Sequence, residues 1–251
     1  MAAASLLLAA LILKGNPAMA ESPLQSSRQL VVVTTADWDA IGGQMQRFER
    51  DTPGSDWRTA GSAIRVVVGK RGLGWGAGLH DGSVSTEPLK REGDGKGPAG
   101  MFRLSRAFGL APASEMGWVR LPYQQLTSST ECVDDSASRH YNQIVDREGI
   151  SSPDWRSSEK MRAIGDQYRL GVVVEHNCSA CKPGAGSCIF LHIWEGETTG
   201  TSGCTAMALT DMEVVMRWLD PVANPILVQL PEADFMRLRK KWELPILRPD
   251  R

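Results

Sequence analysis

The chain has 251 residues, 42% of them hydrophobic and 23% charged, and 28 Lys+Arg against 29 Asp+Glu leave a net charge of -1. This balance excludes a disordered, collagen-like or coiled-coil chain, and it offers no basic face for nucleic acid. With 25 Gly and 14 Pro, many turns and short strands are expected rather than long helices.

In chain order, residues 2–13 are almost wholly apolar, and Ala18-Met19-Ala20 follows as a small-x-small site. Residues 1–20 are therefore expected to be a secretory signal peptide, since the apolar run is much shorter than the roughly 20 residues a bilayer span needs. After cleavage no membrane contact is expected, and the mature chain belongs in the periplasm or cell wall. Residues 21–29 are polar and read as a disordered start. Residues 30–34 are a β-branched run and predict a strand. Residues 38–50 carry Ile41, Met45 and Phe48 at helical spacing, with Asp37 as a cap, and predict a helix. Residues 21–60 thus form a strand–helix extension ahead of the main domain, residues 61–231. In that domain 64–68 is a strand, and 75–79 is expected to pair back on it after the Gly72-Leu73-Gly74 turn.

Residues 90–100 (KREGDGKGPAG) read as a solvated, glycine-rich loop carrying Lys90, Arg91 and Lys96, with Gly100 as the hinge into a strand over 101–108. The stretch 111–169 has the weakest periodicity, with strands expected at 123–126 and 142–146. Residues 170–175 and 188–194 are strong strands joined as a wide hairpin. Residues 196–203 are a loop. Thr210 and Glu213 have capping-box spacing, so a helix should start at Asp211 and end before Pro221. A strand over 226–230 and a basic helix over 231–242 follow, the latter within a C-terminal segment, 232–251.

The chemistry concentrates in the cysteines and histidines. Export would place Cys132, Cys178, Cys181, Cys188 and Cys204 in an oxidising compartment, and an odd number leaves at least one unpaired. In the strand from Cys188 to Trp194, a period of two sends Ile189, Leu191 and Ile193 to the core and Cys188, Phe190, His192 and Trp194 to the other face. The chain then returns through Gly200-Thr-Ser-Gly203 to Cys204. A cysteine nucleophile needs a neighbouring base or cation, because only the thiolate attacks. His192 is better placed for this than His80, His140 or His176. His176, Cys178, Cys181 and Cys188 have zinc-ligand spacing, but strong zinc signatures repeat a Cys-x2-Cys pair and this one does not, so no metal and no cofactor is expected. Disulfides among the four cysteines other than Cys204, in any of three pairings, are the plainer reading. A Cys-x2-Cys redox pair is a further one.

Together, GSCIFLHIW (186–194), GTSGC (200–204), KREGDGKGPAGMFRL (90–104) and VVVG (66–69) resemble the L,D-transpeptidase catalytic domain of the YkuD type, over roughly residues 66–230. The resemblance implies a mostly β fold, a YkuD-like sandwich or barrel with a few peripheral helices. It also implies an exported enzyme whose cysteine attacks a peptidoglycan stem tetrapeptide, releases the terminal D-amino acid and passes the acyl group to an amine. By this resemblance Cys204 is the nucleophile, His192 its base and Gly203 the glycine preceding the nucleophile, with the Gly203 and Cys204 amides holding the oxyanion. Ser202 stands where the family has a second histidine, and Ala206 where it has Arg or Asn. Asn177, Tyr141 and Asn142 match polar positions that would line the cleft. Two alternatives stand beside this reading: a carboxypeptidase or cross-link hydrolase using the same thioester, and a non-catalytic wall-binding module in which Cys204 is disulfide-bonded.

Overall fold

The computed structural model describes residues 22–80 and 88–247. The expected signal peptide lies outside the described residues. The chain is mostly β, and eight strands close into a barrel: β1 Gln29–Thr35, β2 Gly42–Glu49, β3 Ile64–Val67, β4 Gly97–Gly109, β5 Leu170–Val174, β6 Phe190–Ile193, β7 Thr205–Met207 and β8 Ile226–Pro231. Around the barrel the order is β1-β8-β4-β5-β6-β7-β3-β2, and β2 pairs back onto β1. Two pairings are parallel, β1 with β8 and β6 with β7; the other six are antiparallel. Closure removes sheet edges, which suits fully buried runs such as QLVVVTT in β1.

Helix α1, Leu209–Trp218, packs on β5 and β6, and helix α2, Glu232–Leu238, on β8 and β1. None of the described helices is long and apolar enough to cross a membrane. A second, three-stranded sheet is formed by Thr130–Val133 with Ile144–Asp146 and Ser158–Lys160 on either side. Together with a helical turn segment, Met161–Tyr168, it forms a cap on the outside of the barrel. The described residues therefore form two apolar clusters. Ile189, Leu191 and Ile193 join the large one with Val31, Phe102 and Met212. Cys188, Phe190 and Cys204 join the smaller one with Phe108, Met161 and Tyr168 of the cap side.

Several sequence expectations are corrected. Residues 42–49 form strand β2 where a helix was expected: the Gly42-Gly43 pair is a poor helix former, and two partner strands satisfy the backbone. Asp37 caps a turn instead, accepting from the Asp39 and Ala40 amides at 2.9 and 2.8 Å. β1 and β2 are thus barrel staves rather than an extension. Residues 22–28 are ordered, with Leu24 and Ser27 buried and the Arg50 guanidinium bonded to main-chain oxygens there. The strand after Gly72 is Leu73–Trp75, and it pairs in parallel with β4, not with β3. Gly72 has φ 73°, and a Cβ there would sit 2.0 Å from the Trp38 carbonyl oxygen, so the turn requires glycine. Thr210 does not cap α1, which begins at Leu209 with Ala208 in the cap position and no side-chain cap bond. The last helix is shorter than expected, ending at Leu238.

Candidate active site

β6 and β7 run parallel with Leu191 opposite Thr205 and His192 opposite Ala206. Cys204, just ahead of β7, therefore lies on the same face as Phe190 and His192 and diagonal to His192. The structure brings these two residues to one cavity of about 210 Å3, lined also by Glu159, Gln167, Tyr168, Trp194, Thr201 and Ser202. The aliphatic alternates of β6 point into the barrel, as the period of two requires.

Cys204 is unbridged and buried. Its Sγ accepts from the Phe190 amide at 3.3 Å and donates to the Cys188 carbonyl at 3.5 Å. Burial pushes the thiol well above its ordinary pKa, and the charge of Glu159 adds to the rise; the Phe190 amide, Lys90 and the Tyr168 hydroxyl act in the opposite sense. The single disulfide among the described residues joins Cys132 to Cys188. This removes Cys188 from the zinc-ligand set, and it leaves Cys178 and Cys181 as exposed free thiols.

His192 is buried, and its Nδ1 lies 2.8 Å from the Ile193 carbonyl oxygen. A carbonyl can only accept, so Nδ1 carries the proton and Nε2 is bare in the neutral ring. Burial lowers the His192 pKa to about 4, against a weaker upward pull from that carbonyl. Among the described residues no hydrogen bond joins the ring to Cys204. Instead the ring stands edge-on to Tyr168, with centroids 5.3 Å apart.

Tyr168 and Glu159 are the residues that sequence reasoning missed. The Tyr168 hydroxyl donates to Glu159 Oε2 at 2.7 Å. It also interacts with the Cys204 thiol, and burial together with the Cys204 and Glu159 charges drives its pKa far upward. Glu159 is raised to about 7, by burial first and by the Asp134 and Glu92 carboxylates next, against the Tyr168 hydrogen bond. Both residues come from 111–169, where periodicity is weakest, so nothing local marked them.

The loop before Cys204 is pinned by Thr201. Its hydroxyl donates to the Cys204 carbonyl at 2.6 Å and accepts from the Gly203 amide at 3.0 Å. The Gly203 N–H is thereby occupied, which corrects its assignment as an oxyanion donor. Gly203 is needed for space: a Cβ there would lie 3.1 Å from the Lys96 carbonyl and 3.2 Å from Ile189 Cδ1. Ser202 is exposed on the cavity wall.

Lys90 is not a solvated loop residue. Its ammonium is buried, 3% exposed, and paired with Asp94 at 2.6 Å. Asp94 also takes the Arg91 and Lys96 amides, so the charged motif folds around one carboxylate and delivers a cation towards Cys204. Asn177 is corrected from a substrate residue to a loop staple. Its side-chain amide donates to the Lys182 and Gly186 carbonyls and its oxygen accepts from the Lys182 amide. Asn142 likewise holds the His176 and Asn177 carbonyls and the Cys188 amide. Tyr141 bonds Glu92 at 2.5 Å. None of the three lines the Cys204 cavity. Gly100, expected as a hinge, lies inside β4 with φ 138° and the His80 ring where a side chain would be.

No protein-family description, no curated protein and no solved structure matches this chain.

Proposed function

We propose that the protein is a cysteine acyltransferase acting on peptidoglycan stem peptides, an L,D-transpeptidase working in the periplasm or cell wall. The observation that carries this reading is the unbridged Cys204 at the wall of a cavity shared with His192 and Ser202. It also argues against the wall-binding alternative, which needs that sulfur in a disulfide. The chemical identity of the substrate rests on the resemblance of the motif segments. In the reaction, Cys204 Sγ bonds to the carbonyl carbon of the stem peptide's third residue, the C–N bond to the terminal D-amino acid breaks, and the amine leaves with a proton. An acceptor amine then takes the acyl group from sulfur. His192 offers its bare Nε2 as a hydrogen-bond acceptor to the amine, and the Cys204 amide is the donor assigned to the developing oxyanion.

The test is intact-mass analysis after incubation with a carbapenem, which members of the resembled family accept as an acylating analogue. One adduct is expected, mapped to Cys204 and missing from Cys204→Ala. An adduct that persists in that variant, or none on the native protein, removes the assignment.

A further inference from the structure

Accepting Cys204 as the nucleophile, we propose that its proton leaves through Tyr168 to Glu159, so that these two residues, and not His192, activate the thiol. The geometry is that of a relay. The Tyr168 hydroxyl belongs to a side chain that shares the smaller apolar cluster and the cavity with Cys204, and it holds Glu159 Oε2 at 2.7 Å. All three residues border one cavity.

His192 is badly arranged for the same task. Among the described residues no hydrogen bond joins its bare Nε2 to the sulfur, whose partners are the Phe190 amide and the Cys188 carbonyl; its ring meets the Tyr168 ring, and burial makes it reluctant to accept a charge. A base works best when its pKa lies near the working pH. Glu159, near neutrality through burial, satisfies this far better than a histidine lowered to about 4.

The step balances. As sulfur bonds to the substrate carbonyl carbon, the thiol proton turns from the Cys188 carbonyl to the Tyr168 oxygen, and the phenolic proton passes to Glu159. The carboxyl then holds the proton that the departing amine requires, and returning it along the same path restores both residues. Because its oxygen receives the thiol proton in this step, Tyr168 is the catalytic residue of the pair. Glu159 acts through it and is a positioning and proton-holding residue. The groups facing Glu159 are the Tyr168 hydroxyl, the Cys204 thiol and the carboxylates of Asp134 and Glu92.

The position of Glu159 follows from the cap. Ser158–Lys160 pairs with Thr130–Val133 so that Glu159 stands opposite Cys132, and Cys132 is bonded to Cys188, whose carbonyl lies beside Cys204. A carboxylate that looks like a surface-strand residue is in this way brought over the thiol.

The experiment is the rate of Cys204 alkylation by iodoacetamide from pH 5 to 10, read by peptide mass. Native protein is compared with Glu159→Gln, Tyr168→Phe and His192→Gln, each checked for native circular dichroism. Iodoacetamide needs no substrate recognition, so the profile reports the proton path whether or not a carbapenem reacts. In native protein and His192→Gln the rate rises through an inflection near pH 7. In Glu159→Gln and Tyr168→Phe that inflection disappears and the rate at pH 8 falls on the order of 100-fold, the scale of general-base assistance. An inflection kept in Glu159→Gln, an inflection lost only in His192→Gln, or a Cys204 that stays unreactive throughout overturns the relay.

Discussion

Cys132 stands directly opposite Glu159 in the cap sheet, and its sulfur is bonded to Cys188 on the barrel. One covalent bond thus couples the cap to the main chain beside the candidate nucleophile. Cys132→Ala combined with Cys188→Ala should loosen the cap more than the barrel. For a sequence separation of 56 residues, chain entropy alone suggests a loss of about 4 kcal/mol, and measured losses usually run from about 2 to 5 kcal/mol. Urea unfolding followed by tryptophan fluorescence, with hydrogen exchange in residues 130–168, checks this. Uniform loss of protection across barrel and cap would contradict the coupling.

Gly203→Ala tests whether the loop has room for one methyl group. The added carbon meets the Lys96 carbonyl and Ile189 Cδ1, so the loop must shift. A cost of about 1–3 kcal/mol is expected from overpacking. Because Cys204 is the next residue, its labelling by a carbapenem should fall more than stability does. Thr201→Val removes the hydroxyl that links the Gly203 amide to the Cys204 carbonyl and leaves both without a partner, at about 1–3 kcal/mol. Thr201→Ser, which keeps the oxygen, should recover most of that loss in the same denaturation assay.

Lys90→Met separates two roles for the ammonium. Removing one partner of a buried pair costs about 3–5 kcal/mol when the remaining charge is uncompensated. Asp94 keeps the Arg91 and Lys96 amides, which places the loss at the low end of that range. Lys90 also pulls the Cys204 pKa down, so the variant should react with iodoacetamide more slowly at any given pH. Unchanged thiol reactivity in a folded Lys90→Met protein would show that the lysine serves the loop alone.

The β content and the strands 30–34, 64–68, 101–108 and 170–175 were legible because each rests on a local signal, whereas the pairing of Cys204 with His192 came from the resemblance of whole segments. β-branched runs and a clean alternation along 188–194 survive any tertiary context. The signals that failed were those that tertiary pairing can override. Ile41, Met45 and Phe48 repeat at helical spacing, yet the segment pairs with β1 and β3. Lys90 reads as a solvated charge because nothing in KREGDGK shows that Asp94 will gather the loop around it. Tyr168 and Glu159 reach the cavity through a disulfide and a strand register that no local pattern specifies. The pairing of Cys132 with Cys188 likewise needed coordinates, since three pairings were equally open.

The pH dependence of stability should carry the imprint of three buried groups acting in opposite directions. His176 and His192 are both lowered to about 4 by burial, against an unfolded value of 6.5. Between those limits the unfolded chain binds more protons at both sites, so each makes stability rise with pH. Glu159, raised from 4.5 to about 7, is protonated in the folded protein and ionised in the unfolded chain over nearly the same range, and it makes stability fall with pH. Two groups against one leave a net uptake of about one proton on unfolding near pH 5.5, a slope of about 1 kcal/mol per pH unit. Below pH 5, Asp135, held low by the Ala137 and Arg156 amides, and Asp154, held low by Ser138, add in the same direction as the histidines. Urea midpoints measured at half-unit intervals from pH 5 to 7 should therefore climb with pH. In Glu159→Gln the slope should steepen towards that of two protons, because the opposing group is gone. A native profile that is flat or falling over this interval, or a Glu159→Gln profile no steeper than native, would mean that the three groups do not share the buried environment their positions give them.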